Sequence, residues 1–189
     1  MKITLVRHTS LAIAPNICYG QTDVDVSANF EQERTRLQQK LSTYQFDAVY
    51  TSPLQRCHKL ALAITQNQAI QLDDRLKELH FGDWEMQAWD DIPQEVLDIW
   101  VKDYANFSPP GGETFKDLHG RATSFVTEMR QHFHDKHVLA VTHGGLIRAL
   151  IADVLQMPLK GLFRISIDHA SVTQLEFKDD IPRVHFVNH

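Results

Sequence analysis

Short apolar runs alternate along the chain with longer segments of helical periodicity. The apolar runs typical of buried strands are residues 2–6, 46–50 and 138–142. Apolar positions at helical spacing predict helices over 28–44, 55–65, 114–134 and 146–155. Because strands that alternate with helices build parallel sheets, the pattern predicts a three-layer α/β fold, with a mostly parallel sheet and helices on both faces.

Weaker signals complete the predicted sheet. Residues 70–72 predict a third strand, and the last part of the chain predicts short strands over 164–168, 171–177 and 183–187. The last two are expected to form an antiparallel hairpin through Asp179 and Asp180. Ser27 is a candidate N-cap for the helix at 28–44, because its hydroxyl can accept a hydrogen bond from a free backbone amide.

The segment from Met86 to Gly112 departs from this alternation and is predicted to be a small helical cap inserted over the strand edge. Many of its apolar residues are aromatic, and all three tryptophans of the chain fall between residues 84 and 100. Two interpretations are open. The rings form either a small satellite core under the cap or an aromatic wall for a flat substrate.

Length and composition describe an ordinary globular chain. Residues 1–189, with 43% hydrophobic residues, are predicted to form a single domain with one sizeable core. The formal net charge of −5 argues against nucleic acid as the main partner. The chain begins without a leader-like segment and contains no apolar run that could span a membrane, so a cytoplasmic location without a membrane partner is expected. Cys18 and Cys57 are expected to be reduced.

Four polar groups of residues follow predicted strands or lie in the adjoining loops. They are Arg7-His8, Ser52–Arg56, Glu78, and His143 with Gly144-Gly145. The carboxyl ends of parallel strands meet at one edge of a sheet, so we expect these residues to converge. Two arginines and two histidines suit a phosphate dianion, and glycines at a helix start allow backbone amides to approach it. The sequence therefore predicts a site for a small-molecule phosphate ester.

Phosphoryl transfer at such a site needs a nucleophile, a charge carrier and an acid. One imidazole must attack through an unprotonated nitrogen while a backbone carbonyl holds its other nitrogen. Arginines spread the charge of the transferring group, and an acid protonates the leaving alkoxide. Glu78 is the first candidate for the acid, with Asp83, Glu85 and His80 as competitors. A structural ion pair of Glu78 with Arg56 or Arg75 is the alternative interpretation.

Five short motifs occur in a fixed order: Arg7-His8, Ser52-Pro53-Leu54-Gln55-Arg56, Leu76-x-Glu78-x-x-Phe81-Gly82-x-Trp84-Glu85, Gly111-Gly112-Glu113 and Val141-Thr142-His143-Gly144-Gly145. Together they resemble the histidine phosphatase superfamily, in its phosphoglycerate mutase-like branch, over nearly the whole chain. The resemblance implies a phosphohistidine mechanism without a metal or other cofactor. It implies that His8 is the nucleophile, that Glu78 is the proton donor, and that Arg7, Arg56 and His143 surround the phosphate.

Within the superfamily, Arg7-His8-Thr9 followed by Cys18-Tyr19-Gly20-Gln21-Thr22-Asp23 is similar to alpha-ribazole phosphatases, which dephosphorylate the lower-ligand nucleoside of cobalamin. This similarity implies hydrolysis of alpha-ribazole phosphate, with Gln21, Thr22 and the Gly144 amide near the phosphate. A broad-specificity sugar-phosphate phosphatase, a phosphoglycerate mutase-like enzyme and a catalytically silent phosphate-ester-binding protein are the alternatives. The chain departs from the family pattern at Thr9, where Gly is usual, and at Cys57, Leu60 and Met86.

Other classes of hydrolase fit the sequence less well. Cysteine phosphatases need an arginine six residues after the cysteine, where Val24 and Ala63 stand here. The pair Asp23 and Asp25 does not end an apolar strand, as an aspartyl nucleophile requires. A metal cluster of His132, His134 and His137 is not expected, because positions i and i+2 of a helix do not share a face. These three are expected to be solvated, as are His58, His119, His169, His185 and His189.

Overall fold

The computed structural model describes residues 1–65, 68–178 and 181–189, and these residues form one six-stranded sheet. The strands are β1 (Lys2–Arg7), β2 (Ala48–Thr51), β3 (Ile70–Leu72), β4 (His137–Thr142), β5 (Val172–Glu176) and β6 (Arg183–Phe186). Their order is β3-β2-β4-β1-β5-β6. The first four are mutually parallel, and β5 is antiparallel to both β1 and β6. The mostly parallel sheet and the C-terminal antiparallel pair are confirmed, while Asp179 and Asp180 lie outside the described residues.

The α-helices of the described residues are α1 (Phe30–Leu41), α2 (Gln55–Ile64), α3 (Gln94–Asp103), α4 (Phe115–His132) and α5 (Gly144–Val154). They cover both faces of the sheet. Alternate strand residues point to opposite faces, and apolar side chains on each face pack against helices. Ile3 and Leu5 of β1 belong to the core cluster that contains α4 and α5. Val6 belongs to the second cluster, with α1 and α2. The predicted three-layer α/β fold is therefore confirmed.

Three parallel strands end together at the edge that matters for function. Arg7 of β1 is in register with Thr142 of β4, and Thr51 of β2 with Val141. The residues that follow these strands, His8, Ser52 and His143, are therefore brought side by side. All three are buried, with exposed fractions of 1%, 0% and 0%.

Helix α1 is shorter than predicted at both ends. The N-cap position is Asn29 rather than Ser27. The Ser27 hydroxyl instead bonds to the Ser10 hydroxyl at 2.7 Å and accepts a hydrogen bond from the Asn29 amide at 3.2 Å. At the other end, Tyr44 lies outside the helix because its ring packs against Phe46 and His137. The prediction of Ser27 as N-cap was wrong.

The tryptophan-rich segment packs into the main core. It contains a 3-10 turn (Trp89–Asp91) and helix α3. The rings of Trp84, Trp89 and Trp100 lie 5.9–6.5 Å apart, and the exposed fractions of Trp84 and Trp100 are only 4% and 6%. These rings pack in the core and do not form a substrate wall, but the core is continuous with that around α4 and is not a separate satellite. The domain boundaries, with a cap at 86–112, stay a prediction.

The predicted strand at 164–168 is absent. A 3-10 helix (Leu159–Arg164) precedes an extended loop there, and the loop pairs with no strand among the described residues. Its carbonyls accept hydrogen bonds from arginine side chains: Ile165 O from Arg148 Nε at 2.8 Å, and Ile167 O from Arg7 Nη1 at 2.5 Å. Side-chain donors therefore satisfy backbone groups that strand pairing would otherwise satisfy, and the prediction was wrong for that reason.

Within the part of the chain that the structure describes, no helix is both long enough and apolar enough to cross a membrane.

Candidate active site

His8, directly after β1, is a neutral imidazole with its lone pair on Nε2. Its Nδ1 lies 2.8 Å from the carbonyl oxygen of Thr9. Because a carbonyl only accepts, Nδ1 carries the proton and Nε2 does not. Burial, together with the positive charges of Arg56 and Arg7, holds the pKa of His8 well below its usual value of 6.5. The ring is therefore unprotonated at Nε2 at neutral pH.

His143 follows β4 and lies with its ring centroid 5.2 Å from that of His8. Its Nδ1 accepts a hydrogen bond from Arg56 Nε at 3.3 Å, so in the neutral ring Nε2 carries the proton and donates to Ser52 Oγ at 2.9 Å. Burial and the charge of Arg56 hold the pKa of His143 well below 6.5. The structure therefore places two neutral imidazoles beside a guanidinium.

Arg56, on the first turn of α2, is fully buried. Its Nη1 donates to Thr22 O at 2.8 Å and its Nη2 to Gly20 O at 2.6 Å. No carboxylate among the described residues lies within ion-pair distance of it. A buried cation without a carboxylate partner is costly, so this arrangement favours an anionic ligand.

The predicted phosphate contacts Gln21 and Thr22 lie beside Arg56, in a loop organised by Glu85. The Glu85 carboxylate accepts hydrogen bonds from the amides of Gln21, Thr22 and Phe81 at 2.9, 2.6 and 3.0 Å, and from the Thr22 hydroxyl. The Gln21 side chain donates to Glu78 O at 2.9 Å. We call Arg56, Gly20–Thr22 and Glu85 the Arg56 side of the site.

The hydrogen bonds of Arg7 differ from those of Arg56. Its two amino groups bind the 165–170 loop, with Nη1 on Ile167 O and Nη2 on His169 Nε2 at 2.9 Å. Its Nε is buried and has no hydrogen-bond partner among the described residues. The hydroxyl of Thr9, the residue that replaces the family's Gly, is likewise buried without a partner there. We call Arg7, Arg148 and residues 165–170 the Arg7 side.

Arg148 is a second cation on the Arg7 side that sequence reasoning missed. A Cβ atom added to Gly144 would lie 3.2 Å from Arg148 Nη1 and 3.3 Å from Arg7 Nε, so both guanidiniums approach the start of α5 at the same point. Burial lowers the pKa of Arg148. The sequence could have pointed to Arg148, because it lies one helical turn after Gly144 and therefore on the same face of the helix.

Glu78 reaches the start of α5. Its Oε2 accepts a hydrogen bond from the Gly145 amide at 3.0 Å, and its Oε1 accepts one from the Leu79 amide at 2.9 Å. A Cβ atom on residue 145 would lie 2.3 Å from Glu78 Oε1, so a side chain there would displace the Glu78 carboxylate from its observed place. The Gly145 amide, expected to face an anionic ligand, is used by Glu78 instead.

The competing interpretations of Glu78 are not supported by the ion pairs of the structure. Arg75 pairs with Asp73 and Glu128, at 2.6 and 2.8 Å, rather than with Glu78. The segment that carries Glu78 is held by Arg121, whose Nη2 donates to Glu78 O at 2.9 Å and whose guanidinium pairs with Glu113. The sequence motif that contains Glu113 predicted no role for it, and no sequence pattern pointed to Arg121.

No group of three or more His, Cys, Asp or Glu side chains that could hold a metal ion occurs among residues 1–65, 68–178 and 181–189. In particular, His132, His134 and His137 form no such group. His137 instead bonds through Nε2 to Thr4 Oγ1 at 2.8 Å. His169 is exposed to solvent, as expected, but it also lies at the site, with its ring centroid 5.2 Å from that of His8.

Comparison with known proteins identifies the family. The model of the histidine phosphatase superfamily (branch 1) matches residues 3–189. The chain belongs to this superfamily. The predicted resemblance is confirmed, and as a histidine phosphatase the protein is a phosphoric monoester hydrolase.

Full-length relatives of this histidine phosphatase have different substrates in their names. The adenosylcobalamin/alpha-ribazole phosphatase of Escherichia coli (strain K12) is 26% identical over 194 residues, covering 100% of this chain and 96% of the relative. Phosphoserine phosphatase 1 of Hydrogenobacter thermophilus is also 26% identical, over 185 residues, covering 95% and 88%. The structure of the alpha-ribazole phosphatase from Shigella flexneri superposes with a TM-score of 0.91 at 24% identity, covering 100% of this chain and 96% of that one, and shows the shared fold.

Proposed function

We propose that this histidine phosphatase hydrolyses phosphate monoesters through a phosphorylated His8. The observation that carries the proposal is the state of Arg7, the last residue of β1, and of His8, which follows it. His8 Nε2 holds the lone pair of a neutral, buried ring, while the buried Arg7 Nε has no hydrogen-bond partner among the described residues. In a phosphate ester, the phosphorus is the atom that His8 Nε2 attacks, and a phosphoryl oxygen accepts a hydrogen bond from Arg7 Nε.

In the first half-reaction, the lone pair of His8 Nε2 forms a bond to phosphorus while the bond from phosphorus to the ester oxygen breaks. The proton stays on Nδ1, hydrogen-bonded to the Thr9 carbonyl, so the phosphorylated ring becomes cationic. Arg7, Arg56 and His143 stabilise the charge on the phosphoryl oxygens, and the Gly144 amide adds a donor at the start of α5. A protonated Glu78 gives its proton to the leaving alkoxide.

In the second half-reaction, Glu78 acts as the base. Its carboxylate takes a proton from water while the water oxygen bonds to phosphorus and the Nε2–phosphorus bond breaks. Inorganic phosphate leaves, His8 recovers its lone pair and Glu78 recovers its proton. The hydrogen bond from Gly145 to Glu78 places the carboxyl group at the same helix start as the two guanidiniums, which supports one group serving both steps.

The substrate proposed for this reaction is alpha-ribazole phosphate. The similarity of residues 9–23 to alpha-ribazole phosphatases supports it, as does the full-length match to a relative with that name. The proposal places the flat leaving group beside Phe163, a residue that is 51% exposed and whose ring centroid lies 5.6 Å from the Arg148 guanidinium carbon. Gln21 and Thr22 approach the phosphate from the Arg56 side in this proposal.

Phosphate release by the purified protein in excess EDTA tests both parts of the proposal. Alpha-ribazole phosphate is compared with phosphoserine, phosphoglycerate and sugar phosphates at equal concentration. We expect the kcat/KM for alpha-ribazole phosphate to exceed the others by at least about tenfold, the discrimination that a few pocket contacts provide. Mass spectrometry of the acid-free quenched enzyme should locate a phosphoryl group on His8.

The outcomes separate the substrate from the chemistry. Preference for another ester in EDTA would overturn alpha-ribazole phosphate and leave the His8 mechanism in place. Activity that returns only when a metal is added would overturn the mechanism. Binding of esters without phosphate release would identify a silent binding protein. His185→Ala, a change at a surface histidine bonded to Glu176 on β5, is the matched control for histidine variants.

A further inference from the structure

We propose that His169 is a positioning residue that fixes the guanidinium of Arg7 at the phosphate site. His169 is exposed to solvent, as the sequence predicts, and its ring centroid also lies 5.2 Å from that of His8. Arg7 Nη2 donates to His169 Nε2 at 2.9 Å, a contact across 162 residues of sequence. The inference rests on the proposed phosphate-binding role of Arg7.

The tautomer of His169 follows from its partner. A guanidinium can only donate, so the Nε2 of His169 must be the unprotonated nitrogen and Nδ1 carries the proton. The surroundings support this state, since desolvation of the ring by neighbouring atoms and the charge of Arg7 lower the pKa of His169 to about 4, against the smaller opposing effect of Asp168. His169 is therefore a neutral acceptor for Arg7.

Both ends of the Arg7 fork are anchored by one loop. Nη2 is held by His169 and Nη1 by the carbonyl of Ile167. The planar guanidinium then has a fixed orientation, and its Nε, which has no hydrogen-bond partner among the described residues, lies 3.3 Å from the point that a Cβ of Gly144 would occupy. Anchoring removes side-chain freedom that phosphate binding would otherwise have to remove.

Three substitutions of His169 separate this role from a general structural one. The side-chain oxygen of Gln reaches about as far as the Nε2 of histidine, the oxygen of Asn is one carbon shorter, and Ala has no acceptor. We expect His169→Ala to raise the inhibition constant of inorganic phosphate and the KM for p-nitrophenyl phosphate about threefold to tenfold, with a smaller change in kcat, because one hydrogen bond is lost. His169→Gln should restore both values to within about twofold, and His169→Asn should not.

A double-mutant cycle with Arg7→Ala completes the test, using p-nitrophenyl phosphate because its activated leaving group keeps weak variants measurable. His169→Ala should have no further effect on kcat/KM when Arg7 is already Ala. Melting temperatures and the His185→Ala variant control for folding.

Three results would overturn the inference. The first is a loss of kcat/KM on His169→Ala that is as large in the Arg7→Ala background as in the unchanged protein. The second is an equal rise in KM and in the phosphate inhibition constant for His169→Gln and His169→Ala. The third is tighter phosphate binding by His169→Ala, which would show that the contact hinders ligand binding. If Arg7→Ala itself leaves phosphate inhibition unchanged, the proposed role of Arg7 fails, and that result is distinguishable from failure of His169 alone.

Discussion

The two sides of the site hold their arginines in contrasting ways. On the Arg56 side, the guanidinium is fully buried, and each of its three nitrogens donates to a protein acceptor: His143 Nδ1, Thr22 O and Gly20 O. On the Arg7 side, the guanidinium is partly exposed and is held at its two ends by a loop, and its Nε has no partner among the described residues.

The contrast shows two ways of holding a positive charge at the proposed phosphate site. The Arg56 side is a closed network, because Glu85 fixes the loop whose carbonyls fix Arg56. Such a network supplies a field that needs no rearrangement when charge develops on the phosphoryl group. On the Arg7 side, Nε has no hydrogen-bond partner among the described residues, and it is the donor that the proposal assigns to the ligand. We therefore expect changes on the Arg56 side to affect both stability and catalysis, and changes on the Arg7 side to affect mainly ligand binding.

His8, the proposed nucleophile, gives the largest expected effect. His8→Ala should lower kcat by at least about 10⁴-fold with either an alkyl or an aryl phosphate, since no other group supplies the attacking lone pair. Steady-state phosphate release is the measurement, with His185→Ala as control. Substantial turnover by His8→Ala would show that His8 is not the nucleophile and that the reaction takes place elsewhere than between these two sides.

Two carboxylates test whether the Arg56 side positions the site while Glu78 does the chemistry. Glu78→Gln should lower kcat for alkyl phosphates by about 10²-fold to 10⁴-fold and for p-nitrophenyl phosphate much less, because a nitrophenolate leaves without a proton. Glu85→Gln, the matched variant, should slow both esters by a similar factor, since Glu85 holds the loop at residues 20–22. Equal slowing of both esters by Glu78→Gln would contradict its role as the acid.

The arginines themselves test the comparison most directly. Arg56→Met should lower the free energy of unfolding by about 3 kcal/mol, because it leaves buried acceptors at Gly20, Thr22 and His143 without their donor. Arg7→Met should cost less than about 1 kcal/mol, as a partly exposed side chain. Both should lower kcat/KM. Urea denaturation at neutral pH gives the two free energies, and similar values for the two variants would remove the distinction between the sides.

Acid should destabilise the fold through the two buried histidines. His8 and His143 have pKa values lowered well below 6.5 in the folded protein, so below pH 6.5 the unfolded chain binds more protons than the folded one. Stability should therefore fall as the pH drops, by up to about 2 kcal/mol for each of the two between pH 6.5 and 5. Urea denaturation across that range measures it. Constant stability down to pH 5 would show that the rings are not held neutral.

The smallest expected effect lies at the outer edge of the Arg7 side. Phe163→Ala should raise the KM for alpha-ribazole phosphate about threefold, through loss of stacking, and leave the inhibition constant of inorganic phosphate nearly unchanged. Phe107→Ala is the matched control, because Phe107 is also partly exposed, with a 38% exposed fraction. An equal rise for both ligands would place Phe163 in a general packing role.

Much of the fold could be predicted because periodicity is a local property. The apolar runs of β1 and β4 and the helical spacing of α4 gave bounds within two residues of those observed. Prediction was wrong where local pattern and tertiary partner disagreed. Ile165 and Ile167 alternate like a strand, but arginine side chains bind their carbonyls. Ser27 has the side chain of an N-cap residue, but its hydroxyl is hydrogen-bonded to the Ser10 hydroxyl and the Asn29 amide.

The sequence by itself determined the family and the convergence of the candidate residues, because a parallel sheet brings its carboxyl ends together wherever they lie in the chain. Only the tertiary structure decided how those residues are bonded: that Gly145 serves Glu78, that Glu85 holds the loop beside Arg56, and that His169 reaches Arg7. These contacts join loops without a periodic pattern, and His169 and Arg7 are 162 residues apart. Hydrogen bonds between such segments form only when the donor–acceptor distance is right to within a few tenths of an ångström, and only the packed fold sets that distance.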